Sequence, residues 1–357
     1  MQFKYRFPVI RGVQAYKEYY VAMVPLNMMS RLFPEETEYI PPEYRAQRKL
    51  NEARVPTISR YILDNRDSYV FSALAASIDG EYRFIPDKEN RDAGILEVSM
   101  NAKFLINDGQ HRKAAILSAL KEDETLGDET ISIVFYSDKG LTRSQQIFTD
   151  LNKNAVKTSN SISELYDSRD QLAVINRKVI TRIDFLNEYT DKEKDILGKY
   201  SSNLFTLNTF YSANRIIISG RQIDKDTERF IENYWSAVTS NMLQWQELVH
   251  KQITKVELRE NYIATQGIVI QALGRIGYYF NNHDGMPMDK SLSVLGDINW
   301  KRSNKQWYMR VINSKGRIIT NKNAAILITN VIKNKMGIEL SKEELIAEKK
   351  LQIVLNG

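Results

Sequence analysis

The sequence predicts an α/β domain over residues 1–165, a mostly α-helical bundle over 166–290 and a small basic C-terminal region over 291–357. Three observations predict it. In the first part, short β-branched and aromatic runs alternate with helical patterns, as in a compact α/β unit. Through the middle, apolar residues recur at three- and four-residue steps, at Ile162, Leu165, Leu172, Ile175, Val179, Ile183 and Leu186, which is the helix period. The charge then changes. Lys301–Gly357 holds twelve Lys or Arg against four Asp or Glu, while the preceding 300 residues hold 38 against 40.

Taken in order, the first 40 residues mix aromatic and apolar groups such as Tyr16, Tyr19, Tyr20, Val21, Met23 and Val24, and Pro41-Pro42 ends that stretch. Glu43–Asn65 reads as a basic helix carrying Arg45, Arg48, Lys49, Arg54 and Arg60. Tyr69–Ile78 reads as a buried strand ended by the turn residues Asp79-Gly80. Ile95–Val98 and Lys103–Ile106 read as two short strands. A helix follows Asp108-Gly109 to about Lys121, an acidic loop spans Glu122–Glu129, and Ile131–Tyr136 is a strongly β-prone strand. Thr142 is placed to cap a helix reaching about Leu151.

In the bundle, Thr227–Val249 and Lys255–Phe280 repeat the helix period, and Gly274 and Gly277 predict close helix packing. His283-Asp284-Gly285 reads as a turn. Ala324–Ile332 is an apolar helix, and Ser341 with Glu344 makes a capping box that opens the last one.

The composition removes several chemistries. The hydrophobic fraction of 43% and charged fraction of 26% are those of an ordinary globular protein. No stretch reaches the roughly 18 uninterrupted apolar residues of a membrane helix. Met1–Ile10 lacks the apolar run of a secretion signal, so a cytoplasmic protein is expected. With no cysteine there is no disulfide, thiolate nucleophile or persulfide carrier. His111, His250 and His283 lack zinc-ligand spacing, so no metal centre is expected.

One segment carries reactive-looking chemistry. Asp108-Gly109-Gln110-His111-Arg112 lies between the strand-like Phe104-Leu105-Ile106 and the helical run from Lys113 to Leu120. Strand, glycine turn and helix start gather free backbone N–H groups at the positive end of a helix dipole. Arg112 falls in the first helical turn, where its planar fork can hold a phosphate. Asp108 can cap the helix, or ligate magnesium if the phosphate belongs to ATP or another nucleotide. Gly109 permits close approach, Gln110 can donate to a ligand oxygen, and His111 can act as base or donor. Asp150 and Asn152, at the polar end of the Thr142 helix, are candidates for the same pocket, the alternative being a helix C-cap at Asn152 or Asn154.

The basic tail is the second candidate. Between Lys301 and Lys335 there are nine basic residues and no acidic one. Lys301, Arg302, Lys305, Arg310, Lys315 and Arg317 are candidate phosphate contacts on double-stranded DNA. Trp300, Trp307 and Tyr308 either stack on bases or pack beneath. Arg45, Arg48 and Arg54 form another candidate DNA surface.

Asp-Gly-Gln-His-Arg, together with Ser144-Gln-Gln-Ile-Phe-Thr-Asp-Leu-Asn-Lys-Asn-Ala-Val156, resembles the DGQHR-domain proteins, and within them the DndB family of bacterial DNA phosphorothioation systems. Ile58–Asn65, Ser68–Gly80, Ser161–Asp170 and Ala272–Gly277 extend the resemblance over most of the chain. The resemblance implies a ParB/sulfiredoxin-like N-terminal domain, DNA binding, negative regulation of the modification operon and work beside the sulfur-inserting subunits. A repressor of this kind is often a homodimer. Three functions stay open: a DNA-binding regulator with a nucleotide or phosphate pocket, an NTP hydrolase or ParB-like nuclease using Asp108 and His111, and an adaptor subunit of the modification complex.

Overall fold

The computed structural model describes residues 3–34, 50–137, 146–147, 150–151, 158–198, 201–283 and 285–356. The chain forms two compact units, Met1–Val156 and Lys157–Gly357.

The first unit is built on a seven-stranded mixed sheet: β1 (Lys4–Gln14), β2 (Lys17–Pro25), β3 (Leu74–Asp79), β4 (Tyr82–Pro86), β5 (Ala93–Ser99), β6 (Lys103–Asp108) and β7 (Thr130–Ser137), in the order β4-β5-β1-β2-β7-β3-β6. Only β3 and β7 pair in parallel; the other five pairings are antiparallel. The sheet is therefore less α/β in character than the alternating pattern predicts. Its helices with both ends among the described residues are α1 (Met29–Leu32), α2 (Val55–Asp64) and α3 (Gln110–Glu122).

The centre of the sheet is an aromatic cluster. Phe7, Phe104 and Phe135 have ring centroids 5.5–6.3 Å apart. Alternate residues of β1 and β2, such as Phe7, Val9, Tyr20 and Ala22, reach that core while their neighbours stay on the other face. Ala115, Ile116 and Ala119 of α3 close it from one side. The expected strand Tyr69–Ile78 starts only at Leu74; residues 69–73 run into it without pairing as a strand. The β1–β2 hairpin was not legible as such. Its two-residue turn is Ala15-Tyr16, with φ of 48° and 61°, in place of the usual Asn-Gly or Asp-Gly.

The second unit is helical: α4 (Asn160–Tyr166), α5 (Gln171–Arg182), α6 (Asp184–Tyr189), α7 (Leu207–Ile217), α8 (Lys225–Asn241), α9 (Leu243–Val249), α10 (Lys255–Asn261), α11 (Gly267–Asn282), α12 (Met288–Leu292), α13 (Val294–Asp297), α14 (Lys322–Lys335) and α15 (Lys342–Asn356). A two-residue parallel pair joins β8 (Thr190–Asp191) to β9 (Phe205–Thr206). The long periodic stretches are interrupted: Thr227–Val249 breaks at Met242, and Lys255–Phe280 breaks at 262–266.

Asp170 caps α5 by accepting from the N–H groups of Leu172 and Ala173, and Asp224 caps α8 together with Thr227. At Gly274 a Cβ would sit 2.8 Å from the Ala213 carbonyl oxygen, which is the close α7–α11 approach the glycines predict. Part of the region beyond 291 shares this core: Trp300, Trp307, Val311 and Ile328 belong to the same buried cluster as Trp235 and Trp245. Among the described residues, no helix is long and apolar enough to cross a membrane.

Glu164 on α4 is only 8% exposed, and its Oε2 has no hydrogen-bond partner among the described residues. Burial, with Asp195 and Asp170 adding to it, pushes its carboxyl up to about 8. The folded state therefore holds this proton more tightly than the unfolded chain, where the group titrates near 4.5. Its contribution is complete below the unfolded value and is lost as pH rises through the folded one. Stability is expected to fall between pH values of about 5 and 8, and Glu164→Gln to flatten that decline. Denaturant midpoints measured across this range test it; an unchanged slope in the variant would refute the burial account.

Candidate functional site

β6 ends where the register against β3 shifts. Ala75 pairs with Asp108 but Ala76 pairs with Ile106, so one residue is left over at Asn107. A bulge of this kind re-aims the strand end. Asn107 turns inward, 1% exposed and bonded to Ser77 Oγ at 2.8 Å, while the Asp108 side chain stays 45% exposed. Gly109 follows with φ of 102°, and a Cβ there would lie 2.3 Å from Leu74 Cδ2. Backbone sign and close packing both demand glycine. α3 begins at once, with no side-chain cap and no acidic residue in its first turn.

The Arg112 fork is turned back onto the chain. Nη1 donates to the backbone oxygens of Ser72 at 2.7 Å and Ala73 at 3.1 Å and to Ser72 Oγ, and Nη2 donates to Asp108 Oδ2 at 2.5 Å. Its side chain is 17% exposed. In this arrangement Arg112 stitches the start of β3 to the end of β6.

His111 does a parallel job on the other side. Its Nε2 accepts from the Asn51 backbone N–H at 3.1 Å, which leaves the ring proton of the neutral form on Nδ1. Burial lowers the imidazole below its usual 6.5, and the Arg54 guanidinium pushes the same way. Arg54, read from sequence with Arg45 and Arg48 as a DNA surface, thus stands beside the pentapeptide, exposed in the turn Glu52–Arg54. Arg45, Arg48 and Asn152 lie outside the described residues. Asp150 is exposed and accepts from Gln146 Nε2 at 2.6 Å. The carbonyls of Ser72 and Ala73 and the amide of Asn51 were missed by sequence reasoning, since backbone groups carry no residue signature.

A cleft of about 510 Å³ in the same unit was also missed; Arg66, Tyr69, Ile116 and Glu129 are among its walls. Arg66 bonds Asp123 and Glu129, and Tyr69 donates to Glu129. Burial and that bond push the Tyr69 phenol up to about 12. Its members come from four separate segments, so no local motif marks it.

In the second unit the basic tail divides. Trp300 and Trp307 are fully buried, stacked at 5.4 Å, with their indole N–H groups on the carbonyls of Leu295 and Asn299. They pack beneath the surface and are not available to bases. Arg310 is turned inward too: its side chain is 13% exposed and forks onto both oxygens of Glu348, at 2.5 and 2.9 Å. In this arrangement the guanidinium of Arg310 is already engaged by a carboxylate. Lys301 and Lys305 are exposed and Arg302 partly so. Asn313 Oδ1 accepts from the N–H groups of Lys315 and Arg317, and Gly316 takes φ of 73°. The resulting turn holds Lys315 and Arg317 exposed at its tip.

Arg112→Ala is expected to destabilise the first unit by about 2–3 kcal/mol, since two carbonyls and a carboxylate lose a charged donor; urea unfolding checks this. His111 is expected to titrate below 6.5 in NMR spectra and to move upward in Arg54→Gln, a variant that removes the repelling charge.

No curated protein and no solved structure matches the chain. A family model does, over residues 7–339: that of DndB, described as DNA-sulfur modification-associated. The motif resemblance and the span of that match agree, and the chain belongs to the DndB family.

Proposed function

We propose that this chain is a DNA-binding regulator of a DNA sulfur-modification system, a negative regulator of the modification genes that also modulates modification and works beside its other subunits. The observation that carries the reading is the fate of charge in the last 57 residues. Their basic excess stays outside at Lys301, Lys305, Lys315 and Arg317, while Glu344 and Glu348 are turned onto covered partners and Glu343 pairs with Lys322 at the surface. A surface with more exposed cations than acids attracts a polyanion and releases its counterions. The absence of cysteine fits a regulator and not a sulfur carrier.

The pentapeptide is the second half of the proposal. An uncapped helix start with exposed Arg54 beside it supports binding of a phosphate group, free or on a nucleotide such as ATP with magnesium. Asp108, Gly109, Gln110 and His111 would line it, with Arg112 fixing the turn. The same strand–turn–helix supports the ParB/sulfiredoxin-like reading of the first unit. A cytoplasmic homodimer is part of the proposal. Hydrolysis is the weaker alternative, because the Nε2 of His111 and one oxygen of Asp108 already have partners.

Duplex DNA binding is expected to weaken steeply with salt. Alanine at Lys301, Lys305, Lys315 or Arg317 should each lower the slope of log affinity against log salt by about one. A slope near zero in the wild-type protein would defeat the DNA reading. ATP with magnesium is expected to raise the unfolding temperature of the protein, and no change would remove the pocket from it.

A further inference from the structure

The last helix has one polar, acidic side, and all of it is in use. Glu344 on α15 meets Lys333 of α14 with both oxygens 2.9 Å from Nζ, in a pair 3% and 8% exposed. Glu348 receives the fork of Arg310 and a bond from Asn330 Nδ2 at 2.9 Å. Glu343 meets Lys322 at 2.9 Å, and Arg275 stands 3.8 Å from Glu343 and 3.9 Å from Glu344. Four cations from three parts of the unit thus meet one helix; Arg275, Arg310 and Lys333 are largely covered there, while Lys322 stays exposed at the rim.

The apolar part of this contact is small. Ala347 and Leu351 of α15 pack on Ile326 and Leu327 of α14, with Met309 alongside, in a cluster separate from the main core. The side of α14 that faces the main core, with Ala324, Ala325, Ile328 and Ile332, belongs to the large cluster instead. Buried ion pairs add little net stability, because desolvation offsets their attraction. Undocking would rehydrate carboxylates, a lysine and an amide rather than expose a broad apolar face. The contact therefore has the character of a reversible one, and a phosphate backbone offers the same cations an alternative set of anionic oxygens.

We propose that α15 is a displaceable acidic clamp: its three carboxylates occupy Arg275, Arg310, Lys322 and Lys333 in place of DNA phosphates, and the cationic face beneath it becomes a nucleic-acid contact surface when the helix undocks. The proposal rests on the DNA-binding reading above and adds its regulation. Docked, the protein meets DNA through its exposed cations alone; released, it gains the covered ones.

The test uses the full chain and a short duplex DNA. Glu344→Gln with Glu348→Gln weakens the clamp. Leu327→Cys with Ala347→Cys, in a chain without a competing thiol, pins it when oxidised and frees it when reduced. Hydrogen exchange reports whether Lys342–Asn356 has undocked, and circular dichroism whether the remainder is folded. The glutamine variant is expected to exchange faster in α15, to bind several-fold more tightly and to steepen the salt slope by about two, as Arg310 and Lys333 join the contact. The oxidised pair is expected to bind more weakly than the reduced one. Equal affinity and slope in the wild-type, glutamine, oxidised and reduced proteins, with DNA still bound, overturns the clamp and leaves the DNA reading standing. No binding by the wild-type protein or by any released form overturns both. Binding by released forms alone supports the clamp and overturns the reading that the exposed cations carry DNA binding.

Discussion

The Arg112 guanidinium ties together two strand ends where their shared ladder is irregular. β3 and β6 pair antiparallel, but their ladder slips at Ala75, just where the chain turns into α3. Across that slip Arg112 holds the carbonyls of Ser72 and Ala73 with one nitrogen and Asp108 with the other. Gly109 must be glycine because its φ is 102°, and the tip of Leu74, the first residue of β3, packs against it. The arginine, the glycine and the aspartate of the motif are thus one mechanical joint. It fixes where α3 starts and so where the free N–H groups of its first turn point. His111 extends the joint to Asn51 and brings the Arg54 turn alongside. A pentapeptide that reads as ligand chemistry is, residue by residue, mostly a device for holding geometry, and the exposed charge beside it comes from elsewhere in the chain.

Charge in the second unit follows a related logic. A stretch of nine basic residues without an acid suggests one continuous cationic surface. Folding sorts that stretch. Arg310 and Lys333 point inward to the acids of the following helix, while Lys305, Lys315 and Arg317 are left outward by tight local turns. The two stacked tryptophans decide this, since Trp300 and Trp307 anchor the segment to the main core and leave only its polar edges free.

Much of this was legible in the residues, and the gaps have physical causes. The strand at Ile131–Tyr136, the helix after Asp108-Gly109 and the Ser341–Glu344 capping box were readable because each is encoded locally, by β-branching, by a glycine turn and by a side-chain cap. The family was readable because its motif is contiguous. The β1–β2 hairpin was not, since Ala15-Tyr16 adopts left-handed backbone without the residues that normally announce it. The partners of Arg112 were hidden because they are backbone oxygens forty residues upstream. The inward turn of Arg310 was hidden because its acid lies thirty-eight residues downstream.

The strand order has a consequence for how this unit comes into being. β1 and β2 precede the other strands of the sheet in sequence, yet they occupy its middle. β1 finds its outer neighbour only when Ala93–Ser99 exists, and β2 only when Thr130–Ser137 does. Until then both edges of the hairpin are unpaired, with Phe7, Val9, Tyr20 and Val24 uncovered. Such long sequence separations slow folding and leave sticky strand edges in the growing chain. Completion of β7 is therefore the step that closes the sheet, and synthesis of the amino-terminal half passes through an interval in which chaperone protection matters most.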